Sequence, residues 1–478
     1  MNNEKYEEIY DKQISPLYGL MRNVEEDEIL INGNCLPHTY SIVEQRVDMT
    51  DIECYSVDPP GCEDADDAFS VYEENGKLYL AIHIADPTEY ININTDLWKS
   101  IENKIVTRYP SNRKPFHMMP SEIMEMSSLM VNKYGNIKNA VSVITEIHKD
   151  TYMPIGSVKL LYTIIKLKKE NALEYSEACE HSEDIFAIKT SLKISEALVK
   201  KRGTRTKGVE LNNISTSIVK YTNNIPTLEN VSSAEKGMKQ MIAEFAIFAS
   251  SFVGNYLKIH FNEAGIFRTC NASELLNSSD AINMTGDELL HAIITQGIQA
   301  DYMSTVSSHD LVGSDEYTHF TSPIRRVSDC ICHYLLKYLY LKQTDTSSSS
   351  VSASITPPFT LGELANISEQ CIVVSKQIKK IQYRDSKFRL IQSMGNIISH
   401  KNKLTIRYYI TCYKNGFLNL IIDKIEHYNT DISYSLRKEY FIYVDDPNKK
   451  YTIDITRVNC PKKFDEGSIP ELDQQFMV

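Results

Sequence analysis

The stretch Asp58-Pro-Pro-Gly-Cys-Glu-Asp-Ala-Asp-Asp67 decides how the rest of this 478-residue chain is organised. It holds five carboxylates within ten residues, and a Pro-Pro-Gly turn separates the first from the others. Like charges at this spacing repel one another, so the folded stretch needs a cation among them. A hard divalent cation is the natural partner, because carboxylate oxygens are its preferred ligands. A solvated acidic loop is the alternative, as for most charge runs.

The residues that follow the acidic stretch favour a metal site over a surface loop. Residues 68–72 predict a strand, Asn75-Gly76 is a hairpin signal, and residues 77–85 predict a second, mostly buried strand. A solvated acidic loop rarely leads straight into a core hairpin. An EF-hand does not fit, because neither Asp58 nor Asp64 as first position places a glycine at the sixth.

The composition excludes several classes of protein. No apolar run approaches the roughly 18 residues of a membrane span, and the N-terminus lacks the form of a signal peptide. We therefore expect no membrane association and cytoplasmic residence, with the nucleus as the alternative. Ten cysteines without a Cys-x-x-Cys pair predict reduced thiols. The net charge of −12 argues against a general nucleic-acid coat, so any RNA binding needs local basic patches.

Three regions follow one another along the chain. Residues 1–45 predict an extension that packs on the main domain, with a strand pair as one option. Residues 46–402 predict an α+β domain of mixed strands and helices, with a flexible low-complexity insertion at 342–358. Residues 403–478 predict a small β-rich domain resembling an OB barrel.

The second informative stretch is Tyr-Thr-His-Phe-Thr-Ser-Pro-Ile-Arg-Arg at residues 317–326. Ser322 and the proline after it suit the start of a helix, which places Arg325 and Arg326 in its first turn. The helix dipole disfavours cations there, so the arrangement makes sense if the arginines converge on an anion such as phosphate. An ion pair between Arg325 and Asp329, at about 0.3–0.5 kcal/mol, is the alternative.

Two further segments have roles that the pattern leaves open. Five cations in residues 200–208 either end a helix favourably or guide a phosphate backbone. Residues 236–258 predict an amphipathic helix whose apolar stripe faces the core. Glu244 lies off that stripe, so by pattern alone it is an ordinary exposed glutamate.

These stretches resemble the catalytic domain of the ribonuclease II/R family, also called the RNB family. The acidic motif is most similar to the eukaryotic branch that includes the catalytic subunit of the RNA exosome. The resemblance covers roughly residues 46–400 and keeps the family's order. The matching islands are Arg46-Val-Asp-Met-Thr50, residues 56–68, Ile84-Ala-Asp-Pro-Thr88, residues 109–120, residues 241–250 and residues 317–329.

The resemblance implies a hydrolytic 3′-to-5′ exoribonuclease that holds single-stranded RNA in a channel and releases nucleoside 5′-monophosphates. Asp58, Asp64, Asp66 and Asp67 would bind one or two Mg²⁺ ions, or Mn²⁺ in their place, for two-metal phosphodiester hydrolysis. Asp66 and Arg325 would be catalytic residues, with Arg325 contacting the scissile phosphate of the RNA and stabilising its charge.

The resemblance also implies further contacts to RNA. Tyr109 would stack on the terminal bases, and Glu244 would contact the terminal nucleotides through a 2′-OH. Arg202, Arg205 and Arg326 would line the path of the backbone. We expect a monomer whose partner is the 3′ end of single-stranded RNA, with an RNA-processing complex as a further partner.

Three features depart from the family pattern. The family has its second base-stacking aromatic residue soon after Gly208, but Val209-Glu210-Leu211 offers none here. Residues 1–45 are too short for the paired cold-shock domains of relatives, and residues 403–478 match the S1 barrel only weakly. We therefore expect a weaker grip on RNA and shorter processive runs. Two other readings stay open: a catalytically weak or inactive RNA-binding relative, and a metal-dependent phosphodiesterase acting on another nucleic acid.

Overall fold

The structure is a computed structural model that describes residues 3–19, 37–42, 45–209, 217–223, 225–345, 355–414, 417–437 and 449–456. Its helices are, in chain order, α1 (Asn3–Gln13), α2 (Ser15–Gly19), α3 (Asp96–Lys104), α4 (Ser121–Ser127), α5 (Tyr175–Glu180), α6 (Phe186–Thr206), α7 (Ser233–His260), α8 (Ser273–Leu276), α9 (Gly286–Thr295), α10 (Val327–Asp345) and α11 (Leu361–Lys401).

The strands are β1 (Val47–Asp48), β2 (Ser56–Asp58), β3 (Asp67–Glu74), β4 (Lys77–Ala85), β5 (Ile137–Ile147), β6 (Pro154–Lys166), β7 (Ala172–Glu174), β8 (Ser217–Thr222), β9 (Ile225–Asn230), β10 (Ala264–Thr269), β11 (Asp301–Thr305), β12 (Leu404–Lys414), β13 (Phe417–Ile425), β14 (Tyr428–Arg437) and β15 (Lys450–Ile455). None of the described helices is both long enough and apolar enough to cross a membrane.

A five-stranded sheet in the order β1-β6-β5-β4-β3 forms the centre of the fold. The predicted hairpin is present, because Asn75 and Gly76 both adopt positive φ angles (50° and 76°) that suit a tight turn between β3 and β4. β3 begins at Asp67 and lies at the edge of the sheet. The acidic stretch therefore leads directly into an edge strand of the central sheet.

One apolar core joins this sheet to the surrounding helices. The predicted stripe on α7 is buried, with Met238, Met241 and Phe245 each no more than 3% exposed. Phe69 of β3 packs edge-on against Phe245, with ring centroids 5.7 Å apart. The contact fixes β3, and with it the end of the acidic stretch, against α7.

Residues 3–19 of the N-terminal extension form two helices. Tyr6, Tyr10, Ile14 and Tyr18 are buried in a separate apolar cluster with residues of α11. The strand pair considered from the sequence was based on the apolar alternation at residues 29–31, which lies outside the described residues. The N-terminal helices therefore pack on α11 through their own small core.

The strands after α11 form a four-stranded antiparallel sheet in the order β14-β13-β12-β15. Within the described residues this sheet does not close into a barrel, because β14 and β15 remain its two edges; the expected barrel closure is therefore not observed. Its apolar face packs on Leu228 of β9 and on Leu390 and Met394 of α11. The insertion predicted at 342–358 begins within α10, and its centre, 346–354, lies outside the described residues.

Candidate active site

The acidic stretch forms a loop between β2 and β3. β2 ends at Asp58, which lies in register with Glu174 of β7. The chain then reverses through a turn in which the Cys62 amide donates to the Pro59 carbonyl oxygen at 3.2 Å. Gly61 occupies the left-handed region of this turn at φ 73°, which glycine adopts without strain. The turn brings Asp58 back towards the start of β3.

The carboxylates at the two ends of the loop, Asp58 and Asp67, both resist ionisation. Burial raises the pKa of Asp58 to about 6, and the nearby charge of Asp64 adds to the rise. Burial likewise raises the pKa of Asp67 to about 7, and the charge of Asp58 adds to it. Arg325 lowers both values without cancelling the rise. A cation between Asp58 and Asp67 would remove this conflict.

Asp66 is bonded to the second predicted stretch. Its Oδ1 accepts a hydrogen bond from the Ile324 amide at 2.8 Å, and its Oδ2 accepts one from Arg325 Nε at 3.1 Å. Asp66 is 4% exposed, whereas the Arg325 side chain is 42% exposed. The structure therefore joins the two stretches, which are 259 residues apart, through a buried carboxylate and a partly exposed guanidinium.

The start of the helix differs from the prediction. α10 begins at Val327, and the amides of Arg325 and Arg326 both donate to the Ser322 carbonyl oxygen, so both arginines lie in a turn before the helix. The prediction of Ser322 as the helix cap is therefore wrong. The physical reason is that the acidic loop binds this turn, because Asp66 accepts from an amide that a helix cap would otherwise satisfy.

Asp329 pairs with Arg326 and not with Arg325. Arg326 Nη2 donates to Asp329 Oδ1 at 2.8 Å, and the Ser322 amide donates to the same oxygen at 2.8 Å. Asp329 is fully buried, so both bonds support the turn from within. The alternative considered from the sequence, an ion pair between Arg325 and Asp329, is therefore excluded.

The donor set fits a hard cation that keeps water ligands. In the described part of the chain no three His, Cys, Asp or Glu side chains are grouped closely enough to hold a metal ion by themselves. Burial raises the pKa of Asp66 as well, despite Arg325, but its two oxygens are engaged by Ile324 and Arg325, and Asp64 is engaged by Tyr109. Asp58 and Asp67 are therefore the better candidates to hold the cation. Mg²⁺ is usually held by one or two carboxylates with water and substrate phosphate, whereas zinc prefers a closed cage. Coordination by Asp64 and Asp66 stays a prediction.

Tyr109 stands beside the acidic loop. Its hydroxyl donates to Asp64 Oδ2 at 2.8 Å, and His117 Nδ1 lies 3.8 Å from the same oxygen. Burial of the hydroxyl, together with Asp64, raises the pKa of Tyr109, so the hydroxyl remains a donor. The residue is still 36% exposed. An exposed ring with a fixed hydroxyl is suited to stacking against a base.

Glu244 is buried, contrary to the reading from its pattern. It is 2% exposed, and its carboxylate accepts from Arg202 Nη2 at 2.6 Å, from Arg202 Nε at 3.1 Å and from Gln240 Nε2 at 2.6 Å. The exposed reading is wrong because α6 lies against α7 and places Arg202 over this position. Two residues predicted to bind RNA therefore bind each other.

Arg205 is less closely tied to the site. α6 continues to Thr206, so the basic run forms the last turns of a helix, and Lys207 ends it in the left-handed conformation. Arg205 Nη2 pairs with Asp315 Oδ1, and both side chains are more than half exposed. In the described residues, this ion pair places Arg205 on an exposed surface and does not connect it to the acidic stretch.

A second charge network was not predicted from the sequence. Arg46 Nη2 lies 2.5 Å from Asp86 Oδ2 and 2.8 Å from Glu89 Oε2, and Lys337 Nζ lies 3.0 Å from Asp86 Oδ1 and 2.7 Å from Glu89 Oε2. All four side chains are at most 2% exposed. Burial acts to raise the pKa of Asp86, but Lys337 and Arg46 hold it well below its usual range. In the sequence, the only indication of this network is that Arg46 and Asp86 both lie in segments that match the family pattern.

The geometry defines a site in which carboxylates and an arginine can hold a phosphate between them. The chain belongs to the RNB-domain family, because the profile of that domain matches residues 46–342. The family predicted from the motifs is thus confirmed, and so is its mixed α/β fold.

The chain is similar to named relatives in this family over part of their length. Ribonuclease R of Chlamydia trachomatis is 26% identical over 341 residues, which are 63% of this chain and 47% of that protein. The human exosome complex exonuclease RRP44 is 26% identical over 373 residues, 65% of this chain and 38% of that protein. Exoribonuclease 2 of Buchnera aphidicola is 28% identical over 367 residues, 67% of this chain and 53% of that protein. The chain thus spans about half the length of these relatives or less.

Solved structures show the same fold at low sequence identity. Mycoplasma genitalium RNase R in complex with double-stranded RNA gives a TM-score of 0.68 at 16% identity, covering 92% of this chain and 79% of that chain. Yeast Ssd1, described as a pseudonuclease, gives a TM-score of 0.62 at 16% identity, covering 85% of this chain and 52% of that chain. The fold is therefore shared by a ribonuclease and by a protein described as a pseudonuclease.

Proposed function

We propose that the protein is a Mg²⁺-dependent, hydrolytic 3′-to-5′ exoribonuclease that degrades single-stranded RNA to nucleoside 5′-monophosphates. The observation that carries the proposal is the contact between Asp66 and the partly exposed Arg325, beside two carboxylates, Asp58 and Asp67, that resist ionisation. Such a pairing suits a phosphodiester, because an arginine fork and a carboxylate-held cation can share its oxygens. The named exoribonucleases in the family support RNA as the substrate class.

Different side chains would perform different parts of the reaction. Asp58 and Asp67 would hold Mg²⁺, which when bound supplies an activated water and stabilises charge at the departing 3′ oxygen. Asp66 orients Arg325, and the Ser322 hydroxyl accepts from Arg325 Nη2 at 2.9 Å. These two bonds use only part of the guanidinium, so further N–H donors are left for the scissile phosphate.

The RNA would be held by stacking and by a few buried ion pairs. Tyr109 offers a ring face, and base stacking is tolerant of sequence. The Oε2 atom of Glu244 accepts only the longer bond from Arg202 Nε, at 3.2 Å, among the described residues, so it keeps lone-pair capacity for a ribose 2′-OH. Cytoplasmic residence, a monomeric state and membership of an RNA-processing complex stay predictions.

A cleavage assay with a matched pair of variants tests the proposal. A 5′-labelled single-stranded RNA and the same sequence as DNA are incubated with Mg²⁺ or EDTA and the wild type, Asp67→Asn or Asp51→Asn. Asp51 is the control because its carboxylate is exposed and lies outside the loop. We expect Mg²⁺-dependent shortening of the RNA from its 3′ end, release of nucleoside 5′-monophosphates, and a loss of more than about 100-fold in Asp67→Asn only.

Two results would favour the other readings. RNA binding without cleavage by the wild type at any Mg²⁺ or Mn²⁺ concentration would indicate a non-catalytic RNA-binding protein. Equal cleavage of the DNA strand would indicate a phosphodiesterase that does not read the 2′-OH.

A further inference from the structure

The loop that carries Tyr109 is closed at its base and held in its middle. Arg108 and Phe116 exchange backbone hydrogen bonds of 3.0 and 2.8 Å, which define the Tyr109 loop as residues 108–116. Within it, the Ser111 amide donates to Asp385 Oδ2 at 2.9 Å, and the Ser111 carbonyl oxygen accepts from Arg389 Nη2 at 3.0 Å. Ser111 is two residues from Tyr109, so α11 fixes the backbone on which the ring stands.

The N-terminal helices complete the surroundings of Asp385. The hydroxyls of Tyr10 and Tyr18 donate at 2.9 and 2.8 Å to the same Oδ2 atom that binds Ser111. Asp385 is 1% exposed, and a buried carboxylate is costly unless donors surround it. Burial, with Asp385 adding to it, raises the pKa of both tyrosines, so their hydroxyls remain donors. Two of the three donors to the buried carboxylate of Asp385 therefore come from α1 and α2.

Arg389 and the Tyr109 loop are tied to the same helices. The Arg389 guanidinium lies 3.7 Å from the centroid of the Tyr10 ring, and its Nη1 donates to Glu7 Oε1 at 2.6 Å. Arg113, which belongs to the Tyr109 loop, donates to Glu7 Oε2 at 2.8 Å and to Asp11 Oδ1 at 2.9 Å. α1 thus holds the loop directly as well as through α11.

We propose that α1 and α2 are part of the RNA-binding site, because through Asp385 and Arg389 they position Tyr109 for stacking on the RNA. Asp385 is then a positioning residue, since it acts through the loop and does not touch the substrate. The apolar cluster of these helices is separate from the main core, so loosening it leaves the central sheet and the aspartates in place. This inference rests on the proposed function, in which Tyr109 stacks on a base.

The first test removes two hydroxyls and keeps the rings. In Tyr10→Phe/Tyr18→Phe, Asp385 loses two of its donors while the apolar packing is retained. We expect the KM for single-stranded RNA to rise about tenfold, with kcat changed less than about threefold. The control is Tyr79→Phe, because Tyr79 lies on β4, outside this cluster, and its ring stacks on Tyr72 with centroids 5.5 Å apart. Its KM should stay within about twofold of the wild type.

The second test asks whether Asp385 acts through Tyr109. Asp385→Asn should raise the KM in the wild-type background and have no further effect in Tyr109→Ala, because the ring to be positioned is gone. Exchange of the Ser111 amide with solvent, followed without RNA, should be faster in Tyr10→Phe/Tyr18→Phe than in Tyr79→Phe.

The outcomes separate the two proposals. RNA hydrolysis by the wild type with fully additive effects of Asp385→Asn and Tyr109→Ala would overturn the positioning role alone. Unchanged Ser111 exchange in the double variant would also overturn it, even if the variant melts earlier. If the wild type neither hydrolyses nor binds RNA, the proposed function is overturned, and this inference is overturned with it.

Discussion

Asp66 and Arg325 are bonded to each other but differ in their access to solvent. Both oxygens of Asp66 are satisfied, by the Ile324 amide and by Arg325 Nε, inside a buried pocket of the fold. Removing these donors would leave an uncompensated buried carboxylate. The guanidinium, in contrast, remains partly exposed. This asymmetry allows one side chain to be held rigidly while it still faces a ligand.

Replacement of Arg325 should therefore act mainly on the chemical step. Arg325→Ala should lower kcat about 10²–10³-fold, because it removes donors to charge that develops on the phosphate. Arg325→Lys should recover only part of the loss, since a lysine is a point charge without the planar fork. Steady-state RNA hydrolysis measures both values. Arg407→Ala, which disrupts an ion pair with Asp423 in the C-terminal sheet, is the matched arginine control. A rise in KM at constant kcat would contradict a role in the chemical step.

The raised pKa values of Asp58 and Asp67 predict an unusual pH dependence of stability. Their folded values of about 6 and about 7 exceed the ordinary 3.8, so between these limits the folded state binds more protons than the unfolded state. In EDTA, the contribution of this pair to stability should fall as the pH rises from about 4 to about 7. Mg²⁺ should raise the melting temperature more at pH 8 than at pH 5, because protons compete with the ion.

Thermal melting at both pH values, with EDTA or Mg²⁺, measures this effect. Asp58→Asn/Asp67→Asn is the reference, because it removes these two titrating groups and leaves the carboxylates outside the loop in place. In EDTA, the difference in melting temperature between the double variant and the wild type should change sign or shrink as the pH falls. A Mg²⁺ effect of equal size in the double variant would show that the ion binds elsewhere.

At the scale of elements, α11 connects parts of the chain that the sequence separates. Its first half packs in the main core, Asp385 and Arg389 hold the N-terminal helices, and its end supports the C-terminal sheet through Leu390 and Met394. The apolar seam of this helix was predictable, because helical periodicity is a local signal. The burial of Asp385 was not predictable, since its tyrosine partners lie 375 and 367 residues away.

The distinction between local signals and contacts between distant residues also explains which other predictions were right and which were wrong. The hairpin at Asn75-Gly76 was predicted correctly because those two residues themselves favour the required positive φ angles. Glu244 was read as exposed because its partner, Arg202, comes from another helix 42 residues earlier. The helix cap at Ser322 was wrong because Asp66, 258 residues before Ile324, binds the turn. Local rules predicted elements, whereas contacts between distant elements decided the site.

We expect the buried ion pairs that Lys337 of α10 forms with Asp86 and Glu89 to matter for stability. Lys337→Met should lower the free energy of unfolding by about 3–5 kcal/mol, because it leaves Asp86 and Glu89 with too few cations. Lys342→Met is the control, since Lys342 lies on the same helix but is exposed, and it should change stability by less than about 0.5 kcal/mol. Urea unfolding of both variants measures the difference. Equal small effects would show that the network contributes little.

At the scale of the whole molecule, the charge balance restricts where RNA can bind. The net charge of −12 opposes a polyanion over most of the surface. Near the acidic loop, however, Arg325 and Arg326 lie close enough to Asp67 to offset part of the rise in its pKa that burial causes. Arg202 is held by Glu244 on the neighbouring helices. If the protein binds RNA as proposed, these cations of the described residues would attract the strand locally, which favours binding of an end over coating of the surface.

The most direct test of the account is single-turnover hydrolysis of a single-stranded RNA as a function of Mg²⁺ concentration, with the released products identified. We predict that the wild type releases nucleoside 5′-monophosphates from the 3′ end with saturating dependence on Mg²⁺, and that Asp67→Asn binds the RNA but requires far more Mg²⁺ or does not cleave. A wild type that binds the RNA and leaves it intact at every Mg²⁺ and Mn²⁺ concentration would contradict the account.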